Sequence, residues 1–390
     1  MKHNLRILLI EPYYGGSHQA WADGYAAHSQ HEVTLLTLPA RFWKWRMQGG
    51  PLTLAHQARA LPVRPDFILA SDMLNLPAFL GLTRDLLATV PVALYCHENQ
   101  LTYPPPPAEK RDLTYGMINW LSMLAADRVF FNSRYHLEDW FEALPRLLKH
   151  FPDHVHTDHI PDVRAQSEVL PVGCDLRRFD AHPRSEPSPT PLILWNQRWE
   201  YDKDPHTFFC ALYTLADEGM DFQVALAGSN VRQIPEEFAA ARERLGARVV
   251  QYGRADRSTY PRLLRRADVV VSTAIHEFFG VAIVEAIYCG CFPVLPHRLS
   301  YPEHIPPAYH EDCLYRDDEG LLTRLRWALN HPDQARTLAA QLRPTVAQFD
   351  WTTVGPRYDE ALERLACSAR AARANAPSTP ARPPKAAGTM

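Results

Sequence analysis

Two glutamates bracket a tight turn in the second half of the chain and give the first sign of chemistry. Glu277 and Glu285 stand eight residues apart, with Gly280 between them. The turn follows an apolar run over residues 268–274 that is typical of a buried strand, and it opens an apolar helical pattern. A helix that begins after such a turn directs unpaired backbone N–H groups at a ligand. One carboxylate can then meet a sugar, and the other, a turn or two along the helix, can meet a ribose.

Two cations follow the first predicted strand of this same half. Arg198 and Lys203 lie five residues apart in a short loop that precedes a predicted helix. A diphosphate leaving group needs cationic stabilisation as its bond to a sugar breaks, and this pair can supply it. The alternative is a pair of surface ion pairs, which contribute little.

A pair of glycines ends the first predicted strand of the chain. Gly15 and Gly16 let the backbone approach a phosphate or a sugar closely. We expect a helix to begin near Gln19, and Ser17 is a candidate for its cap. A simple turn without a ligand remains the alternative.

Polar side chains also end the fourth predicted strand. His97 is followed by Glu98, Asn99 and Gln100, and such groups are costly to bury unless they are partnered. Either they form a satisfied hydrogen-bond network, or they face a cleft with His97 near a reacting sugar.

Cations alternate with aromatic residues near the end of the second predicted strand. The segment contains Arg41, Trp43, Lys44, Trp45 and Arg46. Cations bind phosphates and exposed rings stack on unpaired bases, so the pattern is consistent with an RNA contact. A packed aromatic loop with snorkelling cations is the alternative, and composition alone slightly favours it.

Composition narrows the class of protein. The net charge of −3 argues against a strongly basic nucleic-acid binder, although not against a local basic face. We find no apolar run long enough for a membrane span and no signal-peptide pattern at Met1. The 7 cysteines include no Cys-x-x-Cys pair, which favours a reduced, cytoplasmic protein. The histidine-rich stretch from His150 to His159 is more typical of a solvated loop than of a metal site.

Short β-rich runs alternate with helical patterns, and several are continuous runs of Val, Ile and Leu, as in strands buried on both faces. This predicts an α/β fold with two Rossmann-like, doubly wound parallel-sheet domains that face a cleft. The predicted strands are 5–11, 32–38, 66–71, 92–98, 128–133, 167–172, 191–196, 222–228, 248–253, 268–274 and 292–296.

The two halves are separated by a polar, proline-rich stretch over residues 181–191, which predicts a linker. We expect an N-terminal domain over 1–180 and a C-terminal domain over 192–348. Residues 367–390 are rich in Ala, Pro and Arg without apolar periodicity, which predicts a disordered tail.

The order of Arg198, Lys203, Glu277 and Glu285 resembles that of retaining glycosyltransferases of the GT-B fold. Further segments resemble one group among them, the tRNA-queuosine α-mannosyltransferases. Those segments are 11–18, 38–46, 97–101, 131–133, 194–200, 202–205 and 276–282. One departure from the wider pattern is Asp204, which stands where glycine is common.

The resemblance implies a role for each matching residue. Arg198 and Lys203 would hold the donor diphosphate, Glu277 would contact the mannose and Glu285 the ribose. The Gly15-Gly16 loop would close over the phosphates, and His97 would lie by the anomeric carbon. The other implied donor contacts are Phe278, Phe279 and Gly280. The implied acceptor contacts are Arg41, Trp43, Lys44, Trp45, Arg46, Glu98, Asn99 and Gln100.

The resemblance also implies the reaction, which is transfer of mannose from GDP-mannose to the queuosine base in the anticodon loop of an aspartate tRNA. The N-terminal domain would take the tRNA, and a helix over 349–366 would cross back onto it. We expect no cofactor and no obligatory metal, and we predict neither a membrane nor a protein partner. Two alternatives remain: a GT-B transferase with another sugar nucleotide and a glycan or lipid acceptor, and a catalytically silent RNA-binding protein on this scaffold.

Overall fold

Two parallel sheets of six strands organise the chain. A computed structural model describes residues 4–105, 110–184, 186, 188–229 and 235–374. The first sheet contains β1 (Arg6–Tyr14), β2 (Glu32–Pro39), β3 (Phe67–Ser71), β4 (Val92–Cys96), β5 (Arg128–Phe131) and β6 (Ser167–Val169). The second contains β7 (Leu192–Trp195), β8 (Gln223–Leu226), β9 (Val249–Tyr252), β10 (Val269–Val271), β11 (Phe292–Pro296) and β12 (Leu314–Tyr315). The strand orders are β2-β1-β3-β4-β5-β6 and β12-β11-β10-β7-β8-β9.

Helices connect the strands, as parallel pairing requires. Those of the first half are α1 (Gly16–His28), α2 (Trp43–Ala58), α3 (Leu76–Leu82), α4 (Arg84–Leu87), α5 (Leu113–Ala125), α6 (Arg134–Leu148) and α7 (Ile160–Ala165). The second half has α8 (Pro205–Asp217), α9 (Glu236–Leu245), α10 (Thr259–Arg266), α11 (Val281–Tyr288), α12 (Tyr301–His304), α13 (His310–Cys313), α14 (Asp318–Asn330) and α15 (Pro332–Ala347). The last helix is α16 (Trp351–Ala374). Within the described residues, none of these helices is both long and apolar enough to cross a membrane.

The prediction of parallel, helix-covered sheets is confirmed. A strand overlaps every one of the eleven predicted ranges; β1 and β2 run past theirs, and β4, β5, β7 and β10 end before the polar residues that the prediction included. The strand β12 was not predicted, because it has only 2 residues. The buried strands β3 and β4 have no exposed side chain, which explains their continuous apolar runs.

Two helix boundaries differ from the prediction. The helix α1 begins at Gly16, not near Gln19, and Ser17 lies inside its first turn, where it makes no side-chain cap bond among the described residues. The helix α16 continues past Ala366 to Ala374, into the segment predicted to be a disordered tail. Residues 375–390 of that predicted tail lie outside the described residues.

The last helix packs on the first half of the chain. Trp21 Nε1 of α1 donates a hydrogen bond to the hydroxyl of Tyr358 at 3.1 Å, and the Tyr25 hydroxyl donates to Asp359 at 3.0 Å. The buried indole of Trp351 lies against two glycines, Gly24 and Gly173, at neither of which a Cβ atom fits. These contacts fasten the C-terminal end of the chain to the helix that follows β1.

We predict that Gly24→Ala lowers the free energy of unfolding. A Cβ at position 24 would lie 2.0 Å from Trp351 Nε1, and a buried indole cannot move aside easily. Overpacking of this kind costs about 1–3 kcal/mol, although alanine is otherwise the better helix former. The matched control is Gly81→Ala in α3, where a Cβ meets nothing within 4 Å. Thermal unfolding of the two variants measures the difference, and equal midpoints would contradict the prediction.

Candidate active site at the carboxyl edges of the two sheets

In each sheet the chain order of the strands changes direction at one point, and polar residues lie at both of these points. The reversal lies between β1 and β3 in the first sheet and between β7 and β10 in the second. Ligands of open parallel sheets bind outside the carboxyl ends of the strands at such points. Glu11 near the end of β1 and Asp72 directly after β3 flank the first point. The loops that carry Arg198 and His276 flank the second.

A buried ammonium joins the two loops at the second point. Lys203 Nζ donates to the backbone oxygen of His276 at 2.7 Å and lies 3.3 Å from Glu277 Oε2. It also forms an ion pair at 3.1 Å with Asp202, whose side chain is fully buried. The structure thus brings together the predicted Lys203 and Glu277 and adds Asp202, which was not predicted.

Lys203 and Glu277 keep each other in the charged form. Burial alone would lower the pKa of Lys203, but the Glu277 and Asp202 carboxylates outweigh burial and hold that pKa above its ordinary value. Burial would raise the pKa of Glu277, but Lys203 and His276 hold it below its usual range. Burial, with Lys203 beside it, lowers the pKa of His276 to about 4. At neutral pH the group therefore consists of an ammonium, ionised Glu277 and a neutral imidazole.

The guanidinium of Arg198 lies at the mouth of the same group and is half exposed. It forms an ion pair with Glu200 at 2.9 Å and lies 3.7 Å from Asp202. It also donates to the hydroxyl of Tyr103 at 3.5 Å. An exposed guanidinium beside a buried ammonium is an arrangement that can bind an anion such as a diphosphate.

The backbone around Lys203 and Glu277 takes left-handed conformations that fix these loops. Asp204 has φ 49°, and its side chain accepts from Thr207 N to cap α8. Aspartate tolerates this conformation better than most residues, so it serves at a position where a glycine would otherwise be favoured. Gly280 has φ 87° and is the N-cap of α11, whose first turn has no side-chain cap within the described residues. The free backbone N–H groups of that turn point out of the helix end.

Glu285 is a buried and partnered carboxylate. It accepts from Arg178 at 2.7 Å and from the Tyr260 hydroxyl at 2.9 Å. Burial raises the pKa of Glu285, and Arg178 opposes this rise. The arrangement orients the carboxylate one helical turn beyond the start of α11.

The two predicted donor-contacting rings are packed in the protein. Phe278 stacks on His136 of α6, with ring centroids 3.9 Å apart, and Phe279 lies against His304 and Phe349. Both rings are buried. Any contact that these two residues make with a donor is therefore through their backbone.

Contacts between the halves bring the two carboxyl edges together. Tyr103, in the loop after β4, meets the ring of His276 with centroids 4.5 Å apart. The Glu303 carboxylate accepts from the first two backbone N–H groups of α6, those of Arg134 at 2.9 Å and Tyr135 at 2.6 Å. A carboxylate at a helix N-terminus is a favourable cap, and here it comes from the other half of the chain.

A second titratable group lies on the first sheet. His18 Nδ1 is 3.0 Å from Glu11 Oε2, and His97 Nε2 is 3.8 Å from the same oxygen. Burial alone would lower the pKa of His18, but Glu11, with Asp72 and Glu98 farther away, raises it to about 9. Burial, together with His18 and His136, holds the pKa of His97 well below its ordinary value. The group therefore contains a His18 imidazolium paired with Glu11 and a neutral His97.

Among the polar residues after β4, Asn99 stabilises the loop, whereas Glu98 and Gln100 remain partly accessible. Asn99 is fully buried, and its side-chain oxygen accepts from Leu101 N and Thr102 N at 3.0 and 2.8 Å. It holds the loop in place. Glu98 and Gln100 are half-buried and bonded to each other at 2.9 Å.

Gly15 and Gly16, which follow β1, are needed for different reasons. A Cβ at Gly15 would lie 2.5 Å from Ala40, so this position needs glycine for packing. Gly16 has φ 56° and faces open space, where a ligand can approach the backbone.

The segment with alternating cations and aromatics forms the start of α2. Trp45 is 61% exposed and Phe42, which was not predicted as a contact, is 77% exposed. Lys44 lies over the rings of Trp43 and Tyr115, and Arg46 donates to Pro39 O. Phe42 has φ 51°, a strained conformation for a bulky residue. An exposed ring held in strained backbone suggests selection for function instead of for stability.

The histidine-rich stretch is exposed. His156, Asp158 and His159 offer ligand atoms within 4.8 Å of one another, as do Glu11, His18 and His97. The reading of the stretch as a solvated loop without a metal stays a prediction.

Several residues of the site were not predicted from the sequence. Tyr103 and Arg178 act through partners that are distant in the chain, and no local pattern marks them. Asp202 pairs with the adjacent Lys203 and with Arg198, so its signal was local and was passed over. Glu11 and Asp72 had a usable signal, since each is a carboxylate at the end of an apolar strand run.

Comparisons with known proteins agree with this geometry. Residues 6–174 match the family model described as tRNA-queuosine alpha-mannosyltransferase N-terminal, and residues 177–342 match Glycosyl transferases group 1. A protein of Drosophila melanogaster, the tRNA-queuosine alpha-mannosyltransferase, is 35% identical over 82% of this chain and 85% of its own. A GDP-mannose-dependent alpha-(1-6)-phosphatidylinositol dimannoside mannosyltransferase of Mycobacterium tuberculosis is 28% identical over 52% of this chain and 53% of its own.

Solved structures resemble the chain in fold. The sucrose-phosphate synthase of Thermosynechococcus elongatus superposes with a TM-score of 0.69 at 17% identity, over 94% of this chain and all of its own. Two parallel sheets and such neighbours confirm the predicted GT-B architecture. Because the identity and coverage of the fly relative are high and both halves match family models, the chain belongs to the tRNA-queuosine alpha-mannosyltransferase family and is a glycosyltransferase.

Proposed function

We propose that this protein transfers mannose from GDP-mannose, with retention of configuration, to the queuosine base in the anticodon loop of an aspartate tRNA. The observation that carries the proposal is the buried Lys203 ammonium, held by Glu277 and Asp202 beside Arg198 at the switch point of the second sheet. Family membership supports the acceptor, because the fly relative is named for transfer to tRNA-queuosine.

Both the site and the relatives support the choice of donor. Arg198 and Lys203 supply positive charge for a diphosphate, and the first turn of α11 offers backbone N–H groups to it. Glu277 accepts hydrogen bonds from sugar hydroxyls, and Glu285 from a ribose. The mycobacterial relative is named as GDP-mannose-dependent, which supports GDP-mannose over other sugar nucleotides.

The proposed mechanism is a front-side displacement. A hydroxyl oxygen of the acceptor bonds to the anomeric carbon on the face from which the diphosphate departs, and the carbon–oxygen bond to the diphosphate breaks. The hydroxyl proton passes to an oxygen of the departing diphosphate, so GDP leaves and configuration is retained. Arg198 and Lys203 stabilise the charge that develops on the leaving group. Neutral His97, near the anomeric carbon in this proposal, contributes positioning.

The start of α2 fits the anticodon part of the acceptor. Phe42 and Trp45 present exposed rings for stacking on unpaired bases, with Arg41 and Lys44 beside them for phosphates. In this proposal the RNA contacts come from the first half of the chain, and the donor contacts come from the second half together with the Gly15-Gly16 loop.

The reaction itself is tested by transfer of labelled mannose from GDP-mannose to two samples of one tRNA. We expect label on the queuosine-containing tRNA and none on the same transcript without queuosine. Parallel reactions with UDP-glucose separate the donors. Label on neither tRNA with either donor would contradict the proposed function and favour a catalytically silent RNA-binding protein.

Replacement of Arg198 tests the diphosphate site. Because Arg198 is half exposed, we expect Arg198→Ala to leave the unfolding midpoint unchanged and to lower kcat by about 100- to 1,000-fold. Arg244→Ala is the matched control, since Arg244 has similar exposure and pairs with Asp217 on the surface. Steady-state kinetics that show equal kcat in the two variants would contradict the assignment.

Lys203→Ala is expected to lose transfer as well, but it also removes the ammonium that pairs with fully buried Asp202. Breaking a buried pair costs about 3–5 kcal/mol. The activity of Lys203→Ala must therefore be compared with its unfolding midpoint, because a destabilised variant also loses activity.

Phe42 and Trp45 provide a test of RNA binding that separates function from folding. Asparagine adopts positive φ more readily than phenylalanine, so we expect Phe42→Asn to fold at least as stably as the wild type. Its affinity for tRNA should fall about tenfold or more, as should that of Trp45→Ala, because each loses a stacking surface. Leu52→Ala, at another exposed apolar position of α2, is the control. Unchanged affinity in both aromatic variants, measured by fluorescence anisotropy, would dismiss the contact.

A further inference from the structure

Three carboxyl groups lie at the switch point of the first sheet, and donor binding does not account for them. Glu11 lies near the end of β1, Asp72 directly follows β3 and Glu98 lies beyond β4. Glu11 and Asp72 are buried, and Glu98 is half-buried. The His18 imidazolium pairs with Glu11, which leaves the other two carboxyl groups without an equivalent partner among the described residues.

Asp72 is the least satisfied of the three. Its Oδ2 atom accepts from Glu98 N at 3.2 Å, whereas its Oδ1 atom has no hydrogen-bond partner in the described part of the chain. The same holds for two buried neighbours, Ser71 Oγ and His97 Nε2. A buried polar atom without a partner costs about 1–3 kcal/mol, so three of them at one sheet edge point to a polar ligand that completes the site.

The charge of that ligand follows from the surroundings of Asp72. Burial raises the pKa of Asp72 to about 8, with Glu98 and Glu11 adding to the effect and His18 opposing it. Near neutral pH the free protein therefore keeps a proton on this carboxyl group. A cation that takes the place of the proton would restore the ionised form and satisfy it.

We propose that Asp72, with Glu98 beside it, binds the secondary ammonium group of the acceptor base. Queuosine joins its cyclopentene diol to the deazaguanine ring through a secondary amine, an alkylamine of the kind that carries a proton at neutral pH. The amine and the two hydroxyls belong to one five-membered ring, so an anchored amine fixes where the hydroxyls lie. This inference rests on the proposed function and names the contact that selects queuosine over guanine.

A metal ion is the competing occupant, because Glu11, His18 and His97 could share one. The short contact between His18 and Glu11 opposes it. The Glu11 carboxylate raises the pKa of His18 to about 9 against the effect of burial, so this ring keeps a proton that a metal ligand must lose.

The test compares the wild type and one variant, each with two acceptors that differ in a single atom group. Asp72→Asn keeps the volume of the side chain and can still accept from Glu98 N, but it carries no charge. The acceptors are queuosine-containing tRNA and the same tRNA with the bridging amine replaced by an ether oxygen. Asp127→Asn is the matched control, since Asp127 also accepts from a backbone N–H, that of Val92 at 2.8 Å, but lies at the opposite edge of this sheet.

We expect the wild type to lose about 10- to 100-fold in kcat/KM when the ether replaces the amine, the usual range for a hydrogen bond to a charged group. Asp72→Asn should lose a similar factor with the amine acceptor and little more with the ether, while its KM for GDP-mannose stays unchanged. Asp127→Asn should behave as the wild type does.

Three results would overturn the inference alone. They are equal transfer by the wild type to both acceptors, an equal loss by Asp72→Asn on both acceptors, and loss of activity with a chelator that a divalent metal restores. If the wild type transfers mannose to neither acceptor, the proposed function fails as well, so the two failures are distinguishable.

Discussion

The buried ion pair between Lys203 and Asp202 is the constraint on which the rest of the site depends. The ammonium lies between two loops, and its bond to His276 O at 2.7 Å joins the end of β7 to the end of β10. Because Asp202 is fully buried, its charge is tolerable only with a cation beside it. The same ammonium holds Glu277 ionised and directs it to the start of α11. One interaction therefore stabilises the fold at the switch point and gives the site its charge.

A second set of contacts determines which part of the first half lies opposite Lys203 and its partners. Glu303 of the second half caps α6 of the first, and Tyr103 meets His276 across the gap. These contacts place the carboxyl edge of one sheet against that of the other. The edge that carries Lys203 and Arg198 with their paired carboxylates then faces the edge that carries Asp72. The proposed donor site and the proposed acceptor site therefore lie on facing sheet edges.

Much of the fold could be predicted from the sequence, because parallel strands buried on both faces have continuous apolar runs and each predicted run overlaps a strand. Lys203, Glu277 and Glu285 were found because strand ends and helix starts place them at one sheet edge. Arg178 escaped prediction because it approaches Glu285 from 107 residues away in sequence, and a single sequence carries no signal for such pairs. Phe278 and Phe279 were assigned to the donor from the family resemblance, which does not show that both rings are buried against other side chains.

We propose that the diphosphate of the donor binds at the switch point of the second sheet. A crystal structure with GDP tests it most directly. We predict diphosphate oxygens within hydrogen-bond distance of Lys203 Nζ, the Arg198 guanidinium and the backbone N–H groups at the start of α11. A diphosphate bound elsewhere, with Lys203 still paired only to Asp202 and Glu277, would contradict the account.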